Sequence, residues 1–298
     1  MTGEVASDAS VAPVSVVVLT HDEARNLPAC LASVAGWSQE VFVVDSGSVD
    51  DTVEIARRWG AVVAFHPFES HAHQWNWALR TLPVSVEWVL ALDADQRVTP
   101  ELREEICREL AARDPGAGGP TGYFVCRRQI FRGRWIRHGG YYPKYILKLF
   151  RRGEAWIDER DLVDHHFYVK GRVGTLRGDL VEDNQKESDI STWIVKHARY
   201  AALQAREELA GRWTGSDATA PARLFGTPDE RTRWLKRLWA RLPLYLRPFI
   251  YFGYRYVVRC GFLDGKEGFV FHFLQAFWYR LLVDIHLDQL RAEARGRR

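Results

Sequence analysis

Cysteine, methionine and net charge are all scarce in this sequence, and each shortage removes a class of protein. The four cysteines are Cys30, Cys107, Cys126 and Cys260. None forms a C-x-x-C pair, so their spacing supports neither a zinc site nor a disulfide framework, and a reducing compartment fits. Methionine occurs once. Forty-one basic residues against 38 acidic ones leave a charge of +3, too balanced for a general polyanion binder. No uncharged apolar run approaches the roughly 18 residues needed to cross a bilayer. Met1 to Pro13 has no basic n-region or long apolar core, so no signal peptide is expected. There is no G-x-G-x-x-G after the first apolar strand and no G-x-x-x-x-G-K-[ST], which disfavours a dinucleotide fold and a P-loop NTPase.

What is present is a chain of 298 residues, 47% hydrophobic and 27% charged, with 12 tryptophans. That composition excludes disordered and low-complexity classes and leaves room for one large domain with an appendage. Val14 to Leu19 is a β-branched run expected of a strand buried on both faces. Helix signals over Ala24–Ala35, up to Trp59 and over residues 70–82 alternate with strand signals at Val41–Val44, Ala61–Phe65 and Trp88–Leu92. Thr99 should cap a further helix that has Pro100 at its first position. Strand and helix alternate four times, which predicts an open parallel α/β sheet whose site lies beyond the carboxyl ends of its strands. Thr20 to Glu23, Asp45 to Ser48 and Asp93 to Asp95 all fall at such ends, so three polar clusters are expected to share one crevice.

Asp93 and Asp95, one residue apart, leave a buried strand for a loop. Strand alternation would point them the same way, and their repulsion is tolerable when a cation or a donor sits between them. Mg2+ takes one or two carboxylates together with substrate phosphates, which suits a metal-bridged diphosphate. The plainer alternative is one strand-terminal and one helix-capping aspartate; Asp45 and Glu23 at neighbouring strand exits weigh against it.

Four stretches in order, Val16 to Glu23 (VVVLTHDE), Val43 to Thr52 (VVDSGSVDDT), Gln74 to Leu79 (QWNWAL) and Leu92 to Asp95 (LDAD), resemble the successive motifs of family-two glycosyltransferases. They span roughly residues 14 to 110. The resemblance implies a GT-A fold, a Rossmann-like and mostly parallel sheet flanked by helices. It also implies transfer of a sugar from a nucleotide-sugar donor, a UDP-sugar, with Mg2+ or Mn2+ as cofactor. By position, Glu23 and Asp45 match acids that contact the donor nucleoside, with Thr20 and Ser48 beside them. Gln74 and Asn76 match a Q-x-N motif lining the donor site. Asp93 matches the first D-x-D acid, near the ribose or the metal, and Asp95 the second, a metal ligand. Related enzymes often have an acid after the D-x-D, where this chain has Gln96, a loss of one charge near the site.

An inverting displacement needs a base on the acceptor side. Asp158 to His166 (DERDLVDHH) is the richest candidate segment; Asp164 is the first choice and His165 the second, whereas Asp158, Glu159 and Asp161 read as a solvated turn. His66, His71 and His73 have no metal-site spacing. Gly139 to Pro143 (GGYYP) resembles a substrate-side loop, with a packed Gly/Pro turn as the alternative.

From Arg231 to Leu263 there are eight basic residues and no acid, interleaved with aromatics from Trp234 to Tyr256. That mixture suits an anionic membrane surface; a helical subdomain with a solvated basic rim is the alternative. The apolar stretch Phe269–Val283 carries His272, Gln275 and Arg280, so it should lie against a surface rather than cross one. The resulting organisation has a flexible N-terminus (1–13), a nucleotide-sugar-binding half (14–114) and an acceptor-side half (115–211). A helical aromatic and basic extension follows (212–298). The resemblance points to a bacterial envelope, lipopolysaccharide-core or exopolysaccharide enzyme, cytoplasmic and peripheral on the inner membrane, with a lipid-linked or glycan acceptor. No nucleic acid is expected as a partner. Two other readings remain open: a nucleotidyltransferase on the same sheet, and a single-stranded nucleic-acid module using the tail.

Overall fold

Val14, Val16 and Val18 are buried on one face of strand β1 (Ala12–Thr20), and Val17 on the other. Such a run forms when helices cover both sides of a sheet. The computed structural model describes residues 11–112, 118–159, 166–211 and 228–296. Here β1 pairs in parallel with β2 (Ser38–Asp45) and β4 (Trp88–Asp93), and β2 with β3 (Val62–Phe65). The helices between them are α1 (Leu27–Val34), α2 (Thr52–Arg58) and α3 (His71–Thr81). Ser70 caps α3 by accepting the His73 amide, and Thr99 caps α4 (Pro100–Ala111) by accepting the Leu102 amide. The strand order β3-β2-β1-β4 reverses direction between β1 and β4, where an open α/β sheet forms its crevice.

Beyond β4 the sheet is mixed. β8 (Tyr145–Arg151) runs antiparallel to β4, β6 (Gly122–Phe131) runs antiparallel to β8, and β11 (Val173–Glu182) runs parallel to β6. β7 (Arg134–Trp135) folds back on β6, while β9 (Ala155–Ile157) and β10 (Phe167–Val169) make a separate pair. Two sequence expectations are corrected. Helix α1 begins at Leu27 rather than Ala24, and the preceding amides of Asp22, Glu23 and Ala24 donate to the side chains of Ser48, Thr52 and Asp50. The chain also turns at Ala94–Asp95 into a short unforeseen strand, β5 (Gln96–Val98), antiparallel to β11. Alternation therefore ends at Asp93 and does not set the direction of Asp95.

The structure divides into two units, Met1–Trp135 with Tyr142–Lys186, and Ile136–Tyr141 with Glu187–Arg298. The second is helical: α5 (Ile190–Leu209), α6 (Pro228–Arg241), α7 (Arg247–Gly253), α8 (Gly265–His272) and α9 (Tyr279–Gly296). Its core pairs Ala201 and Ala205 of α5 with Tyr279, Val283 and Leu287 of α9. Arg247 is buried between Glu208 (2.9 Å) and Asp284. No described helix is long and apolar enough to cross a membrane.

Candidate active site

Strand register brings the predicted residues together first. Thr20 lies opposite Asp45 on β2, and Leu19 opposite Asp93 on β4. The two aspartates therefore end strands on either side of β1, about 10 Å apart at the backbone. Asp45 is buried and its carboxylate is filled by its own surroundings. It accepts from the Thr20 hydroxyl (3.0 Å), the Gly47 and Ser48 amides (2.9 Å each) and the Ser48 hydroxyl. Burial opposes the charge on Asp45, but these donors, Ser48 foremost, outweigh it and hold the carboxyl below the usual range. Thr20, Asp45 and Ser48 thus build the loop that follows β2.

Glu23 takes part in a second network. Its oxygens accept from Asn26 Nδ2 (2.7 Å) and Lys186 Nζ (2.8 Å), and Lys186 also donates to the His21 carbonyl. Asn26 accepts the Gln185 amide, which ties the end of β1 to the chain beyond β11. Sequence reasoning missed Lys186, since its partner is 163 residues away.

Gln74 and Asn76 have separate jobs. Gln74 is buried, pairs with His66 Nδ1 at 2.8 Å and donates to the His66 carbonyl, while the His66 ring stacks on Trp77. Asn76 makes a strand-like pair with Ile157 of β9, donating to its carbonyl (3.0 Å) and accepting its amide (3.1 Å). Asn76 also lines a cavity of about 700 Å³ with Arg80, Arg152, Trp156, Asp158 and Glu159. None of the strand-end carboxylates lines that cavity. Asp164 and His165, the two candidate bases, lie outside the described residues.

Around the D-x-D, Asp93 Oδ2 accepts from Lys148 Nζ of β8 at 2.9 Å. Lys148 was not foreseen, because nothing in β8 distinguishes its one lysine from a solvated one. Gln96 is buried, accepts the Asp93 amide and donates to Glu182 of β11 at 2.9 Å, and Glu182 pairs with Arg127 at 3.0 Å. Glutamine at position 96 thus has a local explanation: its side chain faces Glu182, and a second carboxylate in that contact would repel. The Cys30 thiol is pushed far up by burial and then by the charges of Asp95 and Asp93, so it stays protonated beside both.

Among the described residues no three His, Cys, Asp or Glu side chains form a closed metal cage. Mg2+ or Mn2+ does not need one. The available set, Asp95 with Asp93, matches an ion that completes its shell with phosphate oxygens and water, so these residues fit it.

An open α/β sheet with polar strand ends gathered at its switch point is the setting in which such folds place a ligand site. The family model for glycosyl transferase family 2 matches residues 15–167, and the chain belongs to that family. It is a glycosyltransferase with a GT-A fold. It is 26% identical to the lipopolysaccharide core biosynthesis glycosyltransferase LpsC of Rhizobium meliloti, over 89% of this chain and 90% of that one. An uncharacterised glycosyltransferase of Rickettsia conorii is 39% identical over 31% of this chain and 32% of its own length, so the chain spans about a third of that relative. Among solved structures, S. aureus TarS 1-349 in complex with UDP is similar at a TM-score of 0.43 and 14% identity, covering 94% of this chain and 91% of that one.

Proposed function

We propose that the enzyme is an inverting glycosyltransferase. It moves a sugar from a UDP-sugar to a lipid-linked or envelope glycan, in a metal-assisted SN2-like displacement. The gathering of Asp93 and Asp95 with Thr20 and Asp45 beside the switch point carries this reading. Similarity to LpsC along nine-tenths of both chains supports a lipopolysaccharide-core acceptor.

On this reading, Glu23 and Asp45, with Thr20 and Ser48, shape the nucleoside side of the donor site, and Gln74 and Asn76 brace its wall. Asp93 meets the ribose or the metal, and Asp95 holds Mg2+ or Mn2+. When bound, the cation offsets the charge of the departing diphosphate. Asp164, or His165 in its place, takes the proton of the acceptor hydroxyl as that oxygen bonds to the anomeric carbon and the bond to the diphosphate breaks. Residues 14–114 serve the donor and 115–211 the acceptor. Residues 212–298 rest on the anionic cytoplasmic face of the inner membrane. Phe249, Val257, Val258 and Leu263, each at least half exposed in the second unit, support that placement.

The test is a thermal-shift screen of nucleoside diphosphates and nucleotide-sugars with and without Mn2+, followed by product analysis. UDP-selective, Mn2+-dependent stabilisation and release of nucleoside diphosphate are expected. Release of pyrophosphate would make the protein a nucleotidyltransferase instead.

A further inference from the structure

We propose that Arg255 and Arg259, gathered at the Gly139–Gly140 turn, form a binding site for the phosphate headgroup of a membrane lipid. The site deepens the membrane-surface reading above and rests on it. All its residues belong to the second unit.

Gly139 and Gly140 both have left-handed backbones, with φ of +66° and +76°. The Gly139 amide donates to the Arg259 carbonyl at 2.9 Å, and its carbonyl accepts from Arg255 Nη1. A Cβ on Gly140 would lie 2.9 Å from Arg255 Nη1 and 3.5 Å from Arg259 Nη2. The left-handed φ favours glycine at this position, and both cationic heads come to the same α-carbon.

Two guanidiniums at one point repel, and nothing charged answers them among the described residues. Arg255 is held by the Gly139 carbonyl, the Tyr251 hydroxyl (3.0 Å) and the rings of Tyr141 (4.4 Å) and Tyr251 (5.0 Å). The exposed Arg259 side chain has no hydrogen bond or ion pair among those residues. Asp264 in the same unit is committed to His138, one oxygen taking the imidazole Nδ1 at 2.7 Å and the other the backbone amide at 2.8 Å. Arg247 shows the contrast, since the same unit neutralises it with Glu208 and Asp284.

The ligand is therefore an anion. Its attachment to lipid follows from the flanking sequence: Val257 and Val258 are 60% and 68% exposed, and Phe262 and Leu263 about half. Uncompensated guanidinium beside exposed apolar surface complements a phosphate carried on acyl chains, whereas a water-soluble phosphate has no use for the apolar half.

The experiment measures binding of the full chain to phosphatidylcholine vesicles with and without phosphatidic acid. The variants are Arg259→Glu, Arg259→Gln and the control Arg291→Glu, an exposed position on α9 with the same charge change. Phosphatidic acid should strengthen binding of the parent protein. Arg259→Glu should raise the half-saturating lipid concentration about tenfold, Arg259→Gln by a few-fold, and Arg291→Glu by less than about twofold. Equal loss in the two charge reversals would overturn the site, as would equal binding to neutral vesicles. Arg259-dependent heat stabilisation by inorganic pyrophosphate without vesicle binding would overturn the lipid assignment. UDP with Mn2+ should stabilise Arg259→Glu as it does the parent; absence of that shift in both proteins would count against the donor reading alone.

Discussion

Lys148 Nζ lies 2.9 Å from Asp93 Oδ2, with the lysine side chain 6% exposed and the aspartate 33%. The pair joins β4 to its antiparallel neighbour β8 and places an amino group at the first acid of the D-x-D. Removing the lysine takes a positive charge away from a partly buried carboxylate. Lys148→Met should cost about 2 kcal/mol in urea unfolding, a figure reduced for the partial exposure of Asp93. It should also lower kcat/KM at least tenfold. Unchanged stability would mean that solvent already screens the pair.

Gln96 donates to Glu182 and accepts from the Asp93 amide, using both ends of its side-chain amide at once. Gln96→Glu replaces the donor with an anion facing an anion, and about 2 kcal/mol of stability should be lost. Adding Glu182→Gln should recover about half of that loss, because the amide then stands on the other side of the contact. A double-mutant cycle without coupling would show that the two side chains act independently.

Asp95→Ala and Asp164→Asn separate the two halves of the proposed reaction. The first should abolish transfer and the Mn2+-dependent stabilisation by UDP, while unliganded stability stays within about 1 kcal/mol. The second should lower kcat and leave the donor KM unchanged. An unaffected kcat in Asp164→Asn moves the base to His165.

His272 is buried with neither ring nitrogen hydrogen-bonded, and desolvation, aided by Arg255, lowers its pKa from 6.5 to about 4. Asp264 pulls the other way, and His138 adds to the lowering. Because the folded protein binds the proton more weakly, stability is fully present above pH 6.5 and falls as pH drops towards 4. The loss between pH 7 and pH 5 should be about 2 kcal/mol. His272→Phe should flatten that slope in urea unfolding at the two pH values; an unchanged slope would assign it to other groups.

Much of the sheet was legible, because the β-branched runs at Val14–Leu19 and Val41–Val44 require burial on both faces and the intervening caps are local. The helix after Thr99 was legible because its cap and its first-turn proline are local too. β5 was not: three residues carry no period, and their partner strand is some eighty positions away. The filled carboxylate of Asp45 and the clamp of Asn76 on Ile157 were equally hidden, since residue type announces a polar role without saying which partner satisfies it.

By itself the sequence determined the alternation of strands and helices, the placing of acids at strand ends and the family to which they belong. All of these follow from short-range periodicity and motif order. Only the tertiary structure decided that Lys148 answers Asp93, that Gln96 faces Glu182, and that Arg255 and Arg259 converge on Gly140. Charge pairing acts over a few ångströms in space, and the chain brings those ångströms together from positions dozens of residues apart.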